Sequence, residues 1–494
     1  YAAFAPLPTM EAPTPGQTFG VVAQFTNRSG RGITPTQIVL LTGPGFGVEK
    51  GPASLAELGA GATASQRFTV RVAEDAPLSS RPYFGRGGVQ EVLYTLSDPS
   101  QIHRPASEPP VVALARYTVE GVPVETRRVV VRREARLPYG HEERELRVVP
   151  AVAVRLTPAT AIMARSASAK RLDLTVELLN NWEGHIEGQL GLELPAGWTA
   201  EPASHPFRFA RSGERSVYRF GVSVPALESR DYAVTAVAKA RGKEFRDGYD
   251  VIEHRDLETR YLYKRAASDV RGVDVQVPPG LRVGYVMGVG DQVPAGLSQL
   301  GAKVTLLEEA ELAGGNLAQF DAIMTGTRAY AVREDLKTYN QRLLDYVKEG
   351  GNLVVLYNTQ EFVPNTYAPF PAELPQRAEE VSEEDSPVEV LAGAHQVFNW
   401  PNKITPRDFD GWVEQRGSKF FATWDPAYTA MIATHDQGQE PQKGGWVWAK
   451  HGTGHYTYFA YAFHRQLPYG VPGAYRLLAN LLCLSQAAAG PAPR

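Results

Sequence analysis

Gly350-Gly351-Asn352-Leu353-Val354-Val355-Leu356-Tyr357-Asn358 decides how the C-terminal part of this chain is read. A glycine pair stops the helix before it, and the run from Leu353 to Tyr357 then carries no charge, the pattern of a strand buried on both faces. Just upstream, Leu336, Leu343, Leu344 and Val347 fall on one helical face. Working outward, residues 282–287 form another apolar strand, Gly288-Val289-Gly290 turns tightly, and Asp291 caps a helix carrying Val293, Leu297 and Leu300 that ends at Gly301. Further strands are predicted over 303–307, 320–325, 446–449 and 456–461, and a closing helix over 472–484. Strands and helices in alternation, joined by right-handed crossovers, predict an α/β parallel-sheet domain.

Up to about residue 253 the texture differs. Short apolar runs over 19–25, 67–72, 172–178 and 218–224 alternate with polar residues and are broken by Gly and Pro, as in half-buried antiparallel strands. This half also repeats itself. Gly45-Phe46 with Val48-Glu49 and Pro52 is echoed by Gly197-Trp198 with Ala200-Glu201 and Pro202, the aromatic residues lying 152 positions apart. Residues 68–72 are echoed at the same spacing by 220–224, and Asn27, after its strand, is similarly echoed by Asn180, 153 positions on. The expected class is therefore two β-sandwich, immunoglobulin-like domains followed by the α/β parallel-sheet domain. Expected boundaries are 1–135 for the first sandwich, with bridging strands that turn at Gly121, 136–255 for the second, 256–280 for a linker, 281–486 for the α/β domain and 487–494 for a flexible tail.

Composition narrows the function. A chain of 494 residues with 43% hydrophobic content can bury several cores, and a net charge of −3 with a pI near 6.4 gives no field that would gather nucleic acid or anionic membrane. The basic residues Arg127, Arg128, Arg132 and Arg133 are interleaved with valines and read as solvated strand edges. The single Cys483 excludes an internal disulfide or a cysteine-based zinc site and reads as a small buried hydrophobe. No apolar run reaches the ~18 residues of a membrane span. A first residue Tyr1, 37 prolines and β-rich modules suit a bacterial secreted, periplasmic or surface protein from which a signal or a larger N-terminal portion has been removed, or a fragment; cytoplasmic residence stays open.

Open parallel sheets bind ligands beyond the carboxyl ends of their strands. The candidate ligand-binding residues there are Asp291, Thr325, Arg328, Tyr330, Asn358, Gln360 and Arg465, with His464 beside the last. An arginine, amides and hydroxyls suit a polyol or a carboxylate; the same groups serve equally well as hydrogen bonds that order loops. A dinucleotide fingerprint needs glycine where Val293 stands, and no Gly-Lys-Ser/Thr follows, so no nucleotide cofactor is expected. His451 and His455 flank Gly452 and Gly454, which predicts a hairpin turn and no metal site.

The segment from Gly350 to Asn358 resembles the strand and elbow of class I glutamine amidotransferases, where the elbow holds a nucleophilic cysteine. Ala460-Tyr461-Ala462-Phe463-His464-Arg465-Gln466 resembles the strand that delivers the same family's histidine, followed two residues on by glutamate. Here the elbow carries Tyr357 or Asn358 and the acid position carries Gln466, so the resemblance implies a flavodoxin-like scaffold with a degenerate site, a pseudoenzyme. No residue is assigned as catalytic; His464 and Asp410, with Asp408, are the weaker candidates.

More broadly, the chain resembles the C-terminal portion of large bacterial PIG-L (LmbE-like) deacetylases. The phrases that carry this are Gly290-Asp291-Gln292-Val293-Pro294, Phe320-Asp321-Ala322-Ile323, Thr325-Gly326-Thr327-Arg328-Ala329-Tyr330, Asn340 to Val347, Asp408-Phe409-Asp410-Gly411-Trp412-Val413, Arg465-Gln466-Leu467-Pro468 and Val471 to Arg476. The family implies zinc-dependent deacetylation of N-acetylglucosamine-type sugars by an N-terminal domain bearing His-Pro-Asp-Asp. In this chain the one His-Pro, His205-Pro206, is followed by Phe207, so no cofactor is expected here and zinc only in that other domain. Three functions stay open. One is a non-catalytic accessory region that binds glycan or a protein partner, such as a deacetylase catalytic domain or a cell-surface protein, with Trp400, Trp412, Trp424, Trp446 and Trp448 either stacking on sugars or packed inside. The second is a hydrolase of N-acetylated or amide sugars using His464, Asp410 or Asp408, and the third a structural component of a surface assembly.

Overall fold

The alternation over Thr63–Val72 is obeyed residue by residue, with Ala64, Gln66, Phe68, Val70 and Val72 buried and their neighbours exposed. In the computed structural model, which describes residues 2–8, 12–78, 83–86, 90–135, 137–138, 140–165, 170–225, 227–228, 230–254 and 257–486, this strand is central to an antiparallel sheet. Its order is Ala2–Pro8, Thr18–Asn27, Thr63–Val72, Phe46–Lys50. A second sheet, Ile33–Thr42, Val111–Val119 and Val122–Val129, shares its core, where Val21, Phe25 and Val70 meet Ile38, Ala113 and Ala115.

The next sheet pair repeats this plan. Val152–Thr157, Lys170–Asn180, Arg215–Val224 and Thr199–Glu201 follow in the same spatial order, and their register matches too. Val48 lies opposite Val70, and Ala200, 152 positions later, lies opposite Val222. Gly45 and Gly197 hold φ of 81° and 82°, the left-handed corner that leads into each short strand. The facing sheet runs Thr160–Ala164, Ala267–Val273, Asp231–Ala240, Ile186–Glu193, Ser204–Phe209. Both pairs are compatible with a β-sandwich. Residues 256–280, expected as a linker, hold the strands Arg260–Arg265 and Ala267–Val273, and the expected tail 487–494 and Tyr1 lie outside the described residues.

The expected fold class requires correction. Strand accounts for 43% of the structure and helix for 14%, in many small sheets, so the chain is predominantly β and the α/β parallel-sheet domain of amidotransferase or flavodoxin type is not what its last part forms. The sheet there is mixed: Lys303–Leu306, Arg282–Val286, Ala322–Thr325, Asn352–Leu356 and Gly454–Phe459 pair in parallel, and Trp446–His451 and Tyr428–Ala430 extend it antiparallel. The helical periodicity is real but short-lived. The face from Leu336 to Val347 is split at Tyr339 into Glu334–Thr338 and Asn340–Lys348, and Val293–Gln299 gives way at Gly301, whose φ is +86°. Between the parallel strands and the final hairpin, a stretch punctuated by Pro364, Pro371, Pro375 and Pro387 folds into short antiparallel pairs such as Val388–Val390 with Ile432–Thr434. Among the described residues no helix is long and apolar enough to cross a membrane.

Candidate functional site

Among the described residues expected at the strand ends, Tyr330 and Asn358 hydrogen-bond each other, while Asp291, Arg328, Gln360 and Arg465 are engaged by groups outside that set. Asp291 follows Arg282–Val286. Its carboxylate accepts the Tyr285 hydroxyl at 2.8 and 2.9 Å, the Val293 amide at 3.1 Å and the Thr327 amide at 3.0 Å. Burial pushes the Tyr285 phenol far above its ordinary pKa, and the neighbouring Asp291 charge adds to the shift. The Gly288-Val289-Gly290 turn needs glycine for packing: a Cβ on Gly288 would lie 1.9 Å from the Thr327 carbonyl oxygen. Thr325 and Thr327 are buried, and neither hydroxyl has a hydrogen-bond partner among the described residues.

Arg328 takes φ 54°, and its amide donates to the Tyr357 carbonyl at 2.8 Å while its side chain stays exposed. Tyr330 is buried; its amide donates to Asn358 Oδ1 at 3.2 Å and its hydroxyl to Asn340 Oδ1 at 2.7 Å, with its ring against Phe362 and Tyr367. Asn358 in turn donates through Nδ2 to the Leu356 carbonyl at 2.7 Å. Gln360 is turned to a different loop, donating to the carbonyls of Pro375 and Gln376.

His464 is the second residue of the short helix Phe463–Gln466, its ring centre 5.9 Å from that of Tyr357. Burial holds its imidazole below the usual pKa, with the Asp291 charge acting against that shift, so the neutral form is favoured. Arg465 pairs with Glu414. Gln466, where the amidotransferase resemblance expects an acid, is a buried clamp: Oε1 accepts the Val413 amide at 2.8 Å, and Nε2 donates to the carbonyls of Val413 at 3.0 Å and Gln415 at 3.3 Å.

Asp408 and Asp410 belong to another neighbourhood. Asp408 receives Arg476 Nε at 2.6 Å and caps its own turn through the Thr405 amide, while Asp410 is exposed. His451 and His455 lie across the hairpin between Trp446–His451 and Gly454–Phe459, where His455 Nδ1 accepts from Trp448 Nε1 at 3.3 Å. Burial pulls the His455 pKa down to about 4. Among the described residues no three His, Cys, Asp or Glu side chains converge as a metal-ligand set. Cys483 is buried next to the closing helix Pro472–Leu482, and burial pushes its thiol up to about 12. Trp412 and Trp446 are buried and unable to stack on a ligand, whereas Trp400, Trp424 and Trp448 are half-buried.

Sequence reasoning missed Tyr285, Thr327 and Asn340, which complete the network. A tyrosine inside Val283-Gly284-Tyr285-Val286 was the available signal, because a buried hydroxyl must find an acceptor. It also missed a cavity of about 740 Å³ at the seam between the second sheet pair and the last part of the chain, bounded by Arg155, Asp250 and Lys264 on one side and by Gln299 and Tyr469 on the other.

No protein-family model matches the sequence, and no curated protein matches it either. Among solved structures the chain is similar to a β-galactosidase from Rahnella sp. R3, at 14% identity over 44% of this chain and 32% of that one, with a TM-score of 0.25. It is also similar to the E. coli alpha-2-macroglobulin, at 12% identity over 55% and 17% with a TM-score of 0.20, and to the GAE domain of GGA2p from Saccharomyces cerevisiae, at 16% over 26% and 83% with a TM-score of 0.16. Scores this low support neither a shared fold nor a shared activity.

Proposed function

We propose that this chain is a non-catalytic accessory region of a PIG-L-type deacetylase that binds glycan on behalf of a catalytic partner. The observation that supports this reading is how the strand-end groups are employed. The Asp291 carboxylate is committed to Tyr285, Val293 and Thr327, and the Gln466 amide to the backbone of Val413 and Gln415. A general base must reach a substrate proton, and a carboxylate saturated by internal donors does not. Among the described residues, His464 has neither a thiol to deprotonate nor a carboxylate bonded to its ring. Trp400, Trp424 and Trp448 pack against the core but stay half-buried, so part of each side chain reaches the surface where sugars could be met.

Chitotriose, a neutral N-acetylated trisaccharide, supplies the test. Titration calorimetry is expected to detect its binding, and an enzymatic acetate assay on the same mixture is expected to stay at the buffer rate. Acetate release that vanishes in His464→Ala would replace this reading with the hydrolase.

A further inference from the structure

We propose that the cleft at the seam is a binding site for an acidic oligosaccharide, held by Arg155, Lys264 and Arg265 around Asp250 and by the face of Tyr469. The inference rests on the glycan-binding reading and adds to it a location and a charge class.

Charge comes first. Three cations line the cleft against one carboxylate: Asp250 is shared between Arg155 and Lys264, the latter at 2.9 Å, and Arg265 forms no ion pair with any described residue. The Arg155 and Lys264 side chains are 56% and 62% exposed, so their pairs with Asp250 are weak and exchange readily for a carboxylate brought by a ligand. A volume of about 740 Å³ falls within the ~300–1,000 Å³ range of ligand pockets.

The walls are fixed before any ligand arrives. Gln299 bridges them, its Oε1 accepting the Ile162 amide at 2.9 Å and the Tyr475 hydroxyl at 3.2 Å. Arg271 Nη1 donates to the carbonyls of Tyr469 at 3.1 Å and Gly470 at 3.3 Å. Gly470 has φ +66°, and a Cβ there would sit 3.0 Å from both Ile162 and Thr160, so glycine favours the close approach of this loop to the second sheet pair. The loop thereby presents Tyr469, 42% exposed, at the mouth of the cleft. Preorganised walls spare a ligand the entropy of ordering them.

A sugar fits this site better than an acidic peptide. Extended peptides bind by adding a strand to a free sheet edge. Two edge strands border the cleft: Thr160–Ala164 already has its Ile162 amide and Thr160 carbonyl engaged by Gln299, and Val152–Thr157 has Gly248 pressed so closely on Val154 that a Cβ there would lie 2.3 Å from the Val154 carbonyl oxygen. What remains is cationic side chains, amides and a tyrosine face, the combination that grips the carboxylates and ring faces of a uronic-acid chain.

The test titrates the full chain with trigalacturonic acid and with chitotriose, at low and high salt, alongside Lys264→Gln/Arg265→Gln, Tyr469→Ala and, as control, Lys303→Gln. Trigalacturonic acid is expected to bind at least about tenfold more tightly than chitotriose, and to lose at least about tenfold in the double variant and in high salt, with the control unchanged. Tyr469→Ala is expected to weaken both sugars, and matching melting curves establish that the variants are folded. Equal affinity for the two sugars, or binding indifferent to the double variant, overturns the cleft assignment and leaves the glycan-binding reading standing. If neither sugar binds, both fall.

Discussion

Asp291 shows how a residue with catalytic credentials can be a structural one. Its carboxylate joins the turn after one strand to the loop after the next, through Tyr285, Val293 and Thr327. Asp291→Asn keeps the size but loses acceptor capacity, and leaving a buried donor unmatched costs about 1–3 kcal/mol. Urea unfolding is expected to show that loss; an unchanged midpoint would mean the carboxylate is spare and free for chemistry. His455 gives a second expectation. Its folded pKa of about 4 lies below the ordinary histidine value of 6.5, mainly through burial, with His395 and Lys450 pushing the same way. As pH falls the unfolded chain takes up this proton first, so the contribution of His455 is fully present above pH 6.5 and is lost progressively toward pH 4. Thermal melts at pH 7 and pH 5 check it: the drop between them should be smaller in His455→Gln than in the parent chain.

At the scale of elements, the repeat is the part the sequence displayed most openly. Asn27 ends Thr18–Asn27, with Nδ2 donating to the carbonyls of Arg31 and Leu58 and Oδ1 accepting from Ser29. Asn180 ends Lys170–Asn180 in the same manner, bonding Trp182 and Arg211. Both are fully buried, which is why one amide recurs at one place in each sheet pair. Replacing either by alanine orphans backbone groups and should cost about 1–3 kcal/mol, similar in the two positions; paired chemical denaturation of Asn27→Ala and Asn180→Ala tests this, and a large effect at one site with none at the other would end the equivalence. Such local rules were legible because period-two burial and left-handed glycines at 45 and 197 depend on neighbours in the chain. The helices were less so. A hydrophobic face over a few residues identifies a helix but says little about its length, and the stretch after Tyr357 pairs short strands that lie far apart in the chain, which local pattern does not reveal.

For the molecule as a whole, the seam matters more than any one module, and it was invisible in the sequence because Arg155, the Asp250–Lys264 strand pair and Tyr469 come from separate places in the chain. Ile162 shows how tightly the seam is joined: it belongs to a strand of the second sheet pair, yet its side chain packs in the core around Leu281, Leu297 and Tyr475. Ile162→Ala should cost about 2–5 kcal/mol. Scanning calorimetry is expected to show the melting of the last part of the chain moving away from that of the second sheet pair, whereas a single, merely lower transition would show that the two are coupled elsewhere. The most direct measurement of the central claim, that this is a binding region whose strand-end groups serve the fold, is proton NMR of chitotriose mixed with the full chain and zinc. Broadened sugar resonances with no free acetate signal are expected; an acetate peak that grows with time and is lost in His464→Ala would show instead that the chain is a hydrolase.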